Sequence, residues 1–420
     1  MAVPTQASDL LQTYRQALMH DAQYAAALSQ QRAGEERLTQ GRASLLPQIS
    51  FDAQTIWSET EYEVVNGTIE QRRQNRGYGV QLVQPLFRWQ NWIQYEQGGL
   101  QKMLAEVQAG SAGQALMLRV AQAYFNVLNS NDVIDALKQL QAADEEQLAS
   151  ASRSFQLGNA NIVDVQEAQM SYDLTAAQLV KAQSDLALAR HGLARITGRQ
   201  PGPLKGLGRH VVLSSPQPAN VNEWVAAAER GSFEVQVQEL LLHIAGNEVR
   251  SRKADHLPTI DMVLSQNMQQ SPNANTKRSE SSSIGLRFSM PLFSGGRTSS
   301  SAREALALQQ QAEYELEDIR RSAALVAQEA WSGVMDGMAQ VKALEVAKVS
   351  AEAAVNSNRL GYRIGVRVGT DVLQVQSQLS DIVQQLAKAR YDVVLAHLRL
   401  KAAIGALSYD DLSEINMLFE

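Results

Sequence analysis

The feature that most constrains this 420-residue chain is an internal repeat. Gly158 and Asp164 recur as Gly365 and Asp371, both 207 positions later and without a gap between them. Two proline positions recur at slightly different spacings: Pro47 returns as Pro258, and Pro85 returns as Pro291. A self-similar chain folds as copies of one supersecondary unit, so each half has to be interpreted together with the other.

The junction between the two copies runs from Gly198 to Asn220 and is rich in proline and glycine. Both residue types interrupt a helix rather than continue it. We therefore predict a first structural repeat over residues 1–205 and a second over residues 206–420.

Each repeat carries apolar residues spaced seven positions apart, which is typical of coiled coils. The first set is Val165, Tyr172, Leu179, Leu186 and Leu193, and the second is Val372, Leu379, Leu386, Val393 and Leu400. This spacing predicts a long helical hairpin in each repeat, preceded by a helix over about 7–44 or about 220–256. One helix of the first hairpin, from Trp92 to Gln156, would be about 100 Å long.

A different period, in which apolar and polar residues alternate, occupies about 47–87 and again about 258–293. In the first run Ile49, Phe51 and Ala53 alternate with polar residues, although Ile56 interrupts the polar side. Alternation predicts strands that have one apolar and one polar face. We expect two strands of about ten residues in each region, joined by polar turns at 59–76 and 271–280.

The apolar faces of these strands must be buried against something. A soluble sandwich or a helix-covered sheet is one alternative. However, the strand length matches the roughly 9–11 residues of a tilted membrane strand. In addition, Trp57, Trp89 and Trp92 lie near strand ends, where the aromatic girdle of a membrane barrel forms. The pattern favours the bacterial outer membrane, with an export signal removed before residue 1 and long helices in the periplasm.

Four strands cannot close a membrane barrel, and an open sheet edge would leave backbone groups unpaired in lipid. Two chains would supply eight strands, whose inward side chains nearly fill the interior. Three chains would supply twelve and leave a passage. A conduit favours three chains, which predicts a mainly α-helical homotrimer that contains a twelve-stranded transmembrane β-barrel.

The composition excludes several other classes of protein. The chain has no cysteine, so we expect neither disulfides nor a thiol enzyme, and the sequence argues against a cysteine-anchored lipoprotein. Its formal charge of -6 argues against binding to nucleic acid. No apolar run is long enough for a membrane-spanning helix. Neither a nucleophile and base pair nor a metal-type histidine pair is evident, so we expect no enzyme activity, no metal and no cofactor.

The duplicated order of helix, hairpin and two helices resembles that of the TolC-like outer membrane factors. The resemblance is carried by Leu46-Pro47 and Leu257-Pro258, by the exits Gln84-Pro85-Leu86-Phe87 and Pro291-Leu292-Phe293, and by both helical turns. It implies a homotrimer with a β-barrel in the outer membrane and a periplasmic α-barrel formed by the helical hairpins. It also implies an equatorial belt that includes residues 198–220 and 405–420. Barrel, helical tunnel and belt would each draw on both repeats.

The two turns of the helical hairpins are called here the first tip, residues 157–162, and the second tip, residues 361–371. Glycine accepts the left-handed backbone that ends one helix, and a polar residue can cap the next. Turn formation alone would explain these residues. The resemblance adds docking of a periplasmic adaptor protein, for which the candidates are Gly158, Asn159, Asn161, Gly365, Val366 and Gly369.

The resemblance also implies a periplasmic gate near the tips. Asp164 and Tyr362 occupy the places of a hydrogen-bonded pair that links neighbouring hairpins. Arg367 occupies the place of a second link, although its partner position is Val163, which has no acceptor. Asp371 fits one position of an acidic ring that would attract cations, while the next ring position is Gln374. We therefore expect weaker cation selectivity than a doubly acidic ring would give.

The function that these patterns favour is a passive exit duct served by a periplasmic adaptor and an inner-membrane transporter. The missing cysteine favours type I protein secretion driven by an ABC transporter, since many drug-efflux members carry a lipidated cysteine. Multidrug efflux with a proton-driven pump is the alternative within the class. A soluble coiled-coil scaffold is the alternative outside it.

Overall fold

The computed structural model describes residues 7–65, 67–158, 160–208, 215–270 and 278–418. The first repeat contains α1 (Leu10–His20), α2 (Ala22–Ala43), β1 (Gln48–Val64), β2 (Gly67–Phe87), α3 (Trp89–Gln156) and α4 (Ile162–Thr197). The second contains α5 (Val221–Gly231), α6 (Phe233–Ala254), β3 (Thr259–Gln270), β4 (Ser279–Ser289), α7 (Arg297–Arg363), α8 (Gly369–Ala403) and α9 (Tyr409–Asn416). The order of elements is therefore duplicated as the sequence predicts, and α9 is added at the end.

The chain forms two compact units, and each draws residues from both repeats. Unit 1 comprises Met1–Ser29, Gln108–Gln236 and Asp318–Glu420, and unit 2 comprises Gln30–Val107 and Val237–Glu317. Within the described ranges, no helix has both the length and the apolar character needed to cross a membrane.

The first helix of each repeat is interrupted, so the predictions of one helix over about 7–44 and one over about 220–256 are wrong. Asp21 separates α1 from α2 with an extended backbone, and its carboxylate accepts from the Tyr24 N–H at 2.7 Å. Ser232 separates α5 from α6 in the same way, and its hydroxyl accepts from the Val235 N–H at 3.3 Å. Serine and aspartate are more favourable at the N-cap of a helix than in a helix interior, so each of them ends one helix and begins the next.

The long helices of the two hairpins are confirmed, and α3 begins three residues earlier than predicted, at Trp89. The seven-residue seams face inward. The buried members are Leu193, Val372, Leu386, Val393 and Leu400, while Leu179 and Leu186 pack beside Ile134 and Leu137. The period of seven thus reports the faces on which the helices of each hairpin pack.

The main apolar core of unit 1 joins α1 and α9 to the helices α3, α4 and α8. Its central residues are Leu10, Tyr124, Phe125, Leu398 and Leu412, all almost completely buried. The segment after α4 also packs here through Leu204 and Leu207, although residues 209–214 and 419–420 of the predicted belt lie outside the described residues.

The buried hydroxyl of Tyr124 ties two chain segments together in this core. It lies 2.8 Å from the carbonyl oxygen of Lys205 and 3.1 Å from that of Ser8. Ser8 and Leu204 also form a parallel backbone bridge. One tyrosine on α3 therefore holds both the start of the chain and the segment between the repeats.

Unit 2 contains one antiparallel sheet in the order β1-β2-β3-β4. The predicted strand length of about ten residues is close for β3 and β4, which have 12 and 11 residues, and wrong for β1 and β2, which have 17 and 21. Most of the predicted polar turn at 59–76 is paired as strand, from Val64 with Gly67 down to Thr55 with Arg76. Charged side chains are compatible with a ladder because the backbone bonds do not depend on the side chains.

Side-chain hydrogen bonds fasten the sheet to the helices of unit 2. Arg88, next to the end of β2, forms a bidentate ion pair with the buried Asp261 of β3, at 2.8 and 2.6 Å. Gln90 donates to the carbonyl oxygen of Ala254 at 2.8 Å, and Asn91 donates to that of Ser44. These bonds satisfy carbonyl groups at the ends of α2 and α6, where a helix leaves them unpaired.

Replacing Tyr124 with phenylalanine tests the role of its hydroxyl. The ring packing stays, but the Lys205 carbonyl loses its hydroxyl donor, whereas the Ser8 carbonyl still accepts from the Lys205 N–H at 3.1 Å. We expect the free energy of unfolding to fall by about 1–3 kcal/mol. Urea unfolding in detergent measures this change, with Tyr314→Phe as the matched control because Tyr314 is 78% exposed. Equal stability of the two variants would show that the Tyr124 hydroxyl does not hold the segments.

Candidate functional site

One face of the sheet is apolar across all four strands. Ile49 lies opposite Leu82, Leu82 opposite Leu264, and Leu264 opposite Ile284, so one continuous row crosses the sheet. Phe51, Val80, Met262, Leu286 and Phe288 extend the same face, and most of these side chains are exposed in the single chain. A wide exposed apolar face indicates a surface that is covered by lipid or protein.

Tryptophan side chains lie at both limits of this face. Trp57 on β1 is 74% exposed and is the last large apolar residue of its row, while Trp89 and Trp92 lie in the first turn of α3, just after β2. From Gln48 to Trp57 the strand advances about 30 Å, which at a tilt of about 40° is about 23 Å of height. The apolar band of an outer-membrane barrel is about 25 Å tall. The aromatic girdle at these tryptophans stays a prediction.

The opposite face of the sheet is polar and carries small residues. Gln81 lies opposite Ser265, and Ser265 opposite Ser283; the next row joins Gly79, Asn267 and Ser281. Gln48, Ser50, Asp52 and Gln54 continue this face on β1. Strands that are apolar outside and polar inside are the pattern of a barrel with an aqueous lumen.

The two edges of the sheet are β1 and β4, because the described strands pair only in the order β1-β2-β3-β4. An edge strand presents a row of unpaired N–H and C=O groups. In lipid these groups must be paired, so the sheet of one chain is an incomplete barrel wall.

The first tip is a tight turn between α3 and α4. Gly158 has a φ of +75° and donates its N–H to the carbonyl oxygen of Phe155 at 2.9 Å. Asn161 begins α4 through a reciprocal capping box, in which the Asp164 carboxylate accepts from the Asn161 N–H at 3.1 Å. The predicted docking residue Asn159 lies outside the described residues.

The second tip, between α7 and α8, is closed by backbone bonds. Gly365 has a φ of +76°, and the N–H groups of Val366 and Arg367 both donate to the carbonyl oxygen of Gly361, at 2.9 and 3.2 Å. Gly369 begins α8 against α3, since a Cβ atom there would lie 3.1 Å from the Gln147 side chain. Positive φ at both tips explains why Gly158 and Gly365 recur in the repeat.

Apolar side chains surround both turns and are exposed to solvent. Leu157 at the first tip and Val366 at the second are each 75% exposed. Phe155, Ile162, Val163, Ile364 and Val368 are also exposed. Exposed apolar groups clustered at the ends of helical hairpins suit a surface that another protein covers.

The predicted gate residues form contacts within their own tips. Besides capping α4, Asp164 lies in its first turn, where a negative charge is favourable. Arg367 pairs with Asp371 at 3.3 Å, one helical turn apart. Tyr362 packs beside Gly369, and Gln374 is exposed on α8. The links between neighbouring hairpins therefore stay a prediction.

Sequence reasoning missed a buried carboxylate in the first helical hairpin. Asp144 of α3 is completely buried and accepts hydrogen bonds from Thr175 at 2.7 Å and Ser171 at 3.2 Å, both on α4. Burial raises the pKa of Asp144, and the two hydroxyl donors oppose that rise. Comparison of the two repeats could have singled out this carboxylate, because the equivalent position of the second repeat, 207 residues later, is the apolar Ala351.

A duplicated chain with four membrane-type strands and two long helical hairpins defines the class of outer membrane channel subunits. The chain belongs to the family described as outer membrane efflux protein, which matches residues 13–199 and again 224–406. The double match agrees with the internal repeat. It also places the protein in the outer membrane, with its helical tunnel portion in the periplasm.

Individual relatives align over nearly the whole chain. The alkaline protease secretion protein AprF of Pseudomonas aeruginosa is 30% identical over 411 residues, covering 96% of this chain and 85% of AprF. The outer membrane protein TolC of Escherichia coli is 28% identical over 429 residues, covering 98% and 85%. The solved structure of CusC has a TM-score of 0.82 at 17% identity and covers 95% of this chain and 92% of CusC, which confirms the fold.

Replacing Asp144 with asparagine tests the buried carboxylate through pH. A raised pKa means that the protonated form is favoured in the folded state, so wild-type stability falls as pH rises through the folded pKa. Asparagine cannot ionise. The stability of Asp144→Asn relative to the wild type should therefore increase from pH 4 to pH 8, as measured by thermal melting followed by circular dichroism.

The control variant is Asp173→Asn, which removes an exposed carboxylate from α4 of the same hairpin. It should leave the pH dependence of the wild type in place. A constant difference in melting temperature between Asp144→Asn and the wild type across this pH range would contradict the assignment.

Proposed function

We propose that three copies of this chain form one exit duct through the outer membrane. The observation that carries the proposal is the incomplete barrel wall, a four-stranded sheet with a lipid-type face, a polar face and two unpaired edges. Twelve strands at about 4.8 Å spacing and a tilt of about 40° give a barrel radius of about 12 Å. The small polar residues of the inner face leave much of that width open, whereas eight strands would be nearly filled.

The helical tips are proposed to dock a periplasmic adaptor protein. Both tips combine rigid glycine turns with exposed apolar side chains, of which Leu157 and Val366 are the most exposed at their respective tips. A rigid turn loses little conformational entropy on binding, and apolar groups give the association its driving force. The residues proposed for docking are Gly158, Asn159, Asn161, Gly365, Val366 and Gly369.

The cargo is proposed to be protein, delivered by an inner-membrane ABC transporter in type I secretion. Support comes from AprF, whose name assigns it to secretion of alkaline protease and which is 30% identical over almost the entire chain. Multidrug efflux with a proton-driven pump is the second candidate, and the family description as efflux protein favours it. A soluble scaffold does not agree with membership of an outer membrane family.

Photo-crosslinking from the second tip tests docking and distinguishes these two candidates. A photoreactive amino acid replaces Val366, and the cross-linked partners are identified by mass spectrometry from cells that grow with the native export system. We expect an adaptor protein, and co-purification of that adaptor with an ABC transporter. The same amino acid at Tyr314, which is exposed on α7 of unit 2, serves as the control.

Recovery of a proton-driven pump with the adaptor would replace secretion by efflux. Cross-linking of no adaptor from the tip, with folded trimer present, would contradict the docking proposal itself.

The gate is proposed to lie at the second tip, with Asp371 of each copy facing a common axis. Arg367 already pairs with Asp371 in its own chain, which partly neutralises the ring. Asp164 and Tyr362 are proposed to link neighbouring hairpins. With glutamine at 374 in place of a second acid, the ring carries less negative charge than a doubly acidic entrance.

Replacing Gln374 with aspartate should raise the cation selectivity of the channel in planar bilayers. Three added carboxylates at a narrow entrance increase the local concentration of cations, and high salt should suppress the effect. Gln385→Asp is the matched control, since Gln385 is exposed on the same helix three turns further from the tip. Unchanged ion selectivity in Gln374→Asp would show that position 374 does not line the entrance.

A further inference from the structure

The first strand hairpin extends beyond the four-stranded part of the sheet. Among the residues that the structure describes, β2 pairs with β3 from Phe87 to Arg76, whereas β1 and β2 continue to pair with each other as far as Val64 and Gly67. The part of the hairpin formed by residues 56–64 and 67–75 is called here the outer hairpin. It was predicted as a turn and is instead a regular two-stranded ribbon.

The apolar face of the sheet does not continue onto the outer hairpin. On the lipid-facing side, the row that contains Ile49, Phe51 and Trp57 goes on to Glu59, Glu61 and Glu63. Glu59 forms an ion pair with Arg72 at 2.5 Å, and Glu61 lies directly opposite Glu70. Charged side chains are costly in hydrocarbon, so this side of the outer hairpin lies above the membrane in water.

The opposite face changes in the reverse direction. In the membrane part this face is polar, with Gln48, Ser50, Asp52 and Gln54 on β1. On the outer hairpin it is still polar at Ser58 and Arg73, and nearer the turn it becomes apolar, with Tyr62 directly opposite Ile69 and Val64 on the next rung. These three apolar side chains are 47%, 53% and 44% exposed in the single chain.

An apolar face on an isolated ribbon in water needs a partner, because two strands alone bury too little surface to be stable. Lipid cannot be that partner, since the lipid-facing side of the same ribbon carries the glutamates. The inner face of the sheet faces the lumen, so the face with Tyr62 and Ile69 is turned towards the axis of the duct. Rotational symmetry places the same face of every other copy there.

The outer hairpin is also long enough to reach the axis. Each of its arms has nine residues, which span about 30 Å when extended. The barrel radius given above is about 12 Å. The arms can therefore lean inward and meet, and bending this ribbon breaks no hydrogen bonds to a third strand of the described sheet.

We propose that the outer hairpins of three copies converge over the outer mouth of the duct and pack through Tyr62, Val64 and Ile69. This inference rests on the proposed trimeric duct. The partner of each apolar face is the same face of another copy. The outer ends thus form an extracellular cap, which is separate from the gate at the helical tips.

Single cysteine variants test the proposal directly, because the chain has no cysteine of its own. Tyr62→Cys places a thiol on the inner face of the outer hairpin. Glu61→Cys, at the adjacent position, places one on its outer face. After mild oxidation of intact cells, we expect covalent dimers of Tyr62→Cys on a non-reducing gel and almost none of Glu61→Cys. One disulfide joins two of the three copies.

An unboiled gel of the wild type shows whether a heat-sensitive trimer forms. This result distinguishes failure of the proposed duct from failure of the cap alone. If the wild type forms no trimer, the proposed duct and the cap are both overturned. If the trimer forms and Tyr62→Cys cross-links no faster than Glu61→Cys, the cap alone is overturned. Equal and efficient cross-linking of both variants would also overturn the cap, since it shows that neither face of the hairpin is turned towards the axis.

Access to the lumen provides a second measurement. Asp52→Cys places a thiol on the inner face within the membrane part, below the outer hairpin. Adding Tyr62→Asp and Ile69→Asp should open the cap and accelerate its reaction with a bulky polymer-linked maleimide by several-fold, with little change for a small maleimide. Equal rates for the bulky reagent with and without the two added substitutions would overturn the cap.

Discussion

The structure depends on one constraint: backbone groups at the edge of a sheet must be paired when the sheet lies in hydrocarbon. The described sheet has four strands in sequence order, and β1 and β4 are its two edge strands. Its row of Ile49, Leu82, Leu264 and Ile284 gives one side the apolar character that lipid covers in a barrel. In the proposed duct, other copies of the chain complete the wall, and symmetry turns the polar face inwards.

The helical part follows a related logic, because no single helix can bury its apolar seam alone. The seams at Leu193, Val372 and Val393 are buried within the hairpins. In unit 1, Tyr124 and the core around Leu412 hold the chain start, the segment between the repeats and α9 together. Buried polar groups such as Asp144 and Tyr124 are each satisfied by specific donors or acceptors, which fixes the register of neighbouring elements.

Much of the fold could be predicted from the sequence because periodicity reports burial directly. The period of seven identified the helical hairpins, and the alternation at Ile49, Phe51 and Ala53 identified strands and their faces. The breaks at Asp21 and Ser232 were missed because a single capping residue leaves little trace in an apolar pattern. The outer hairpin was missed because most of its side chains are polar or charged, whereas its ladder is made by the backbone.

The candidate site was less accessible to sequence reasoning. Glycine turns at Gly158 and Gly365 were predictable from the repeat, and the structure gives both a positive φ. Asp144 was overlooked because a charged residue on a seam looks like an interruption until its partners Ser171 and Thr175 are seen. The gate links between hairpins stay a prediction, because they would involve other copies of the chain.

The most direct test of the central claim is the mass of the assembled protein released from detergent in native mass spectrometry. The unpaired edges of a four-stranded wall and the width of a passage together require three chains. The account therefore predicts a single assembly of three times 46.1 kDa. A dominant monomer or dimer would show that the edges are satisfied in another way and would contradict the account.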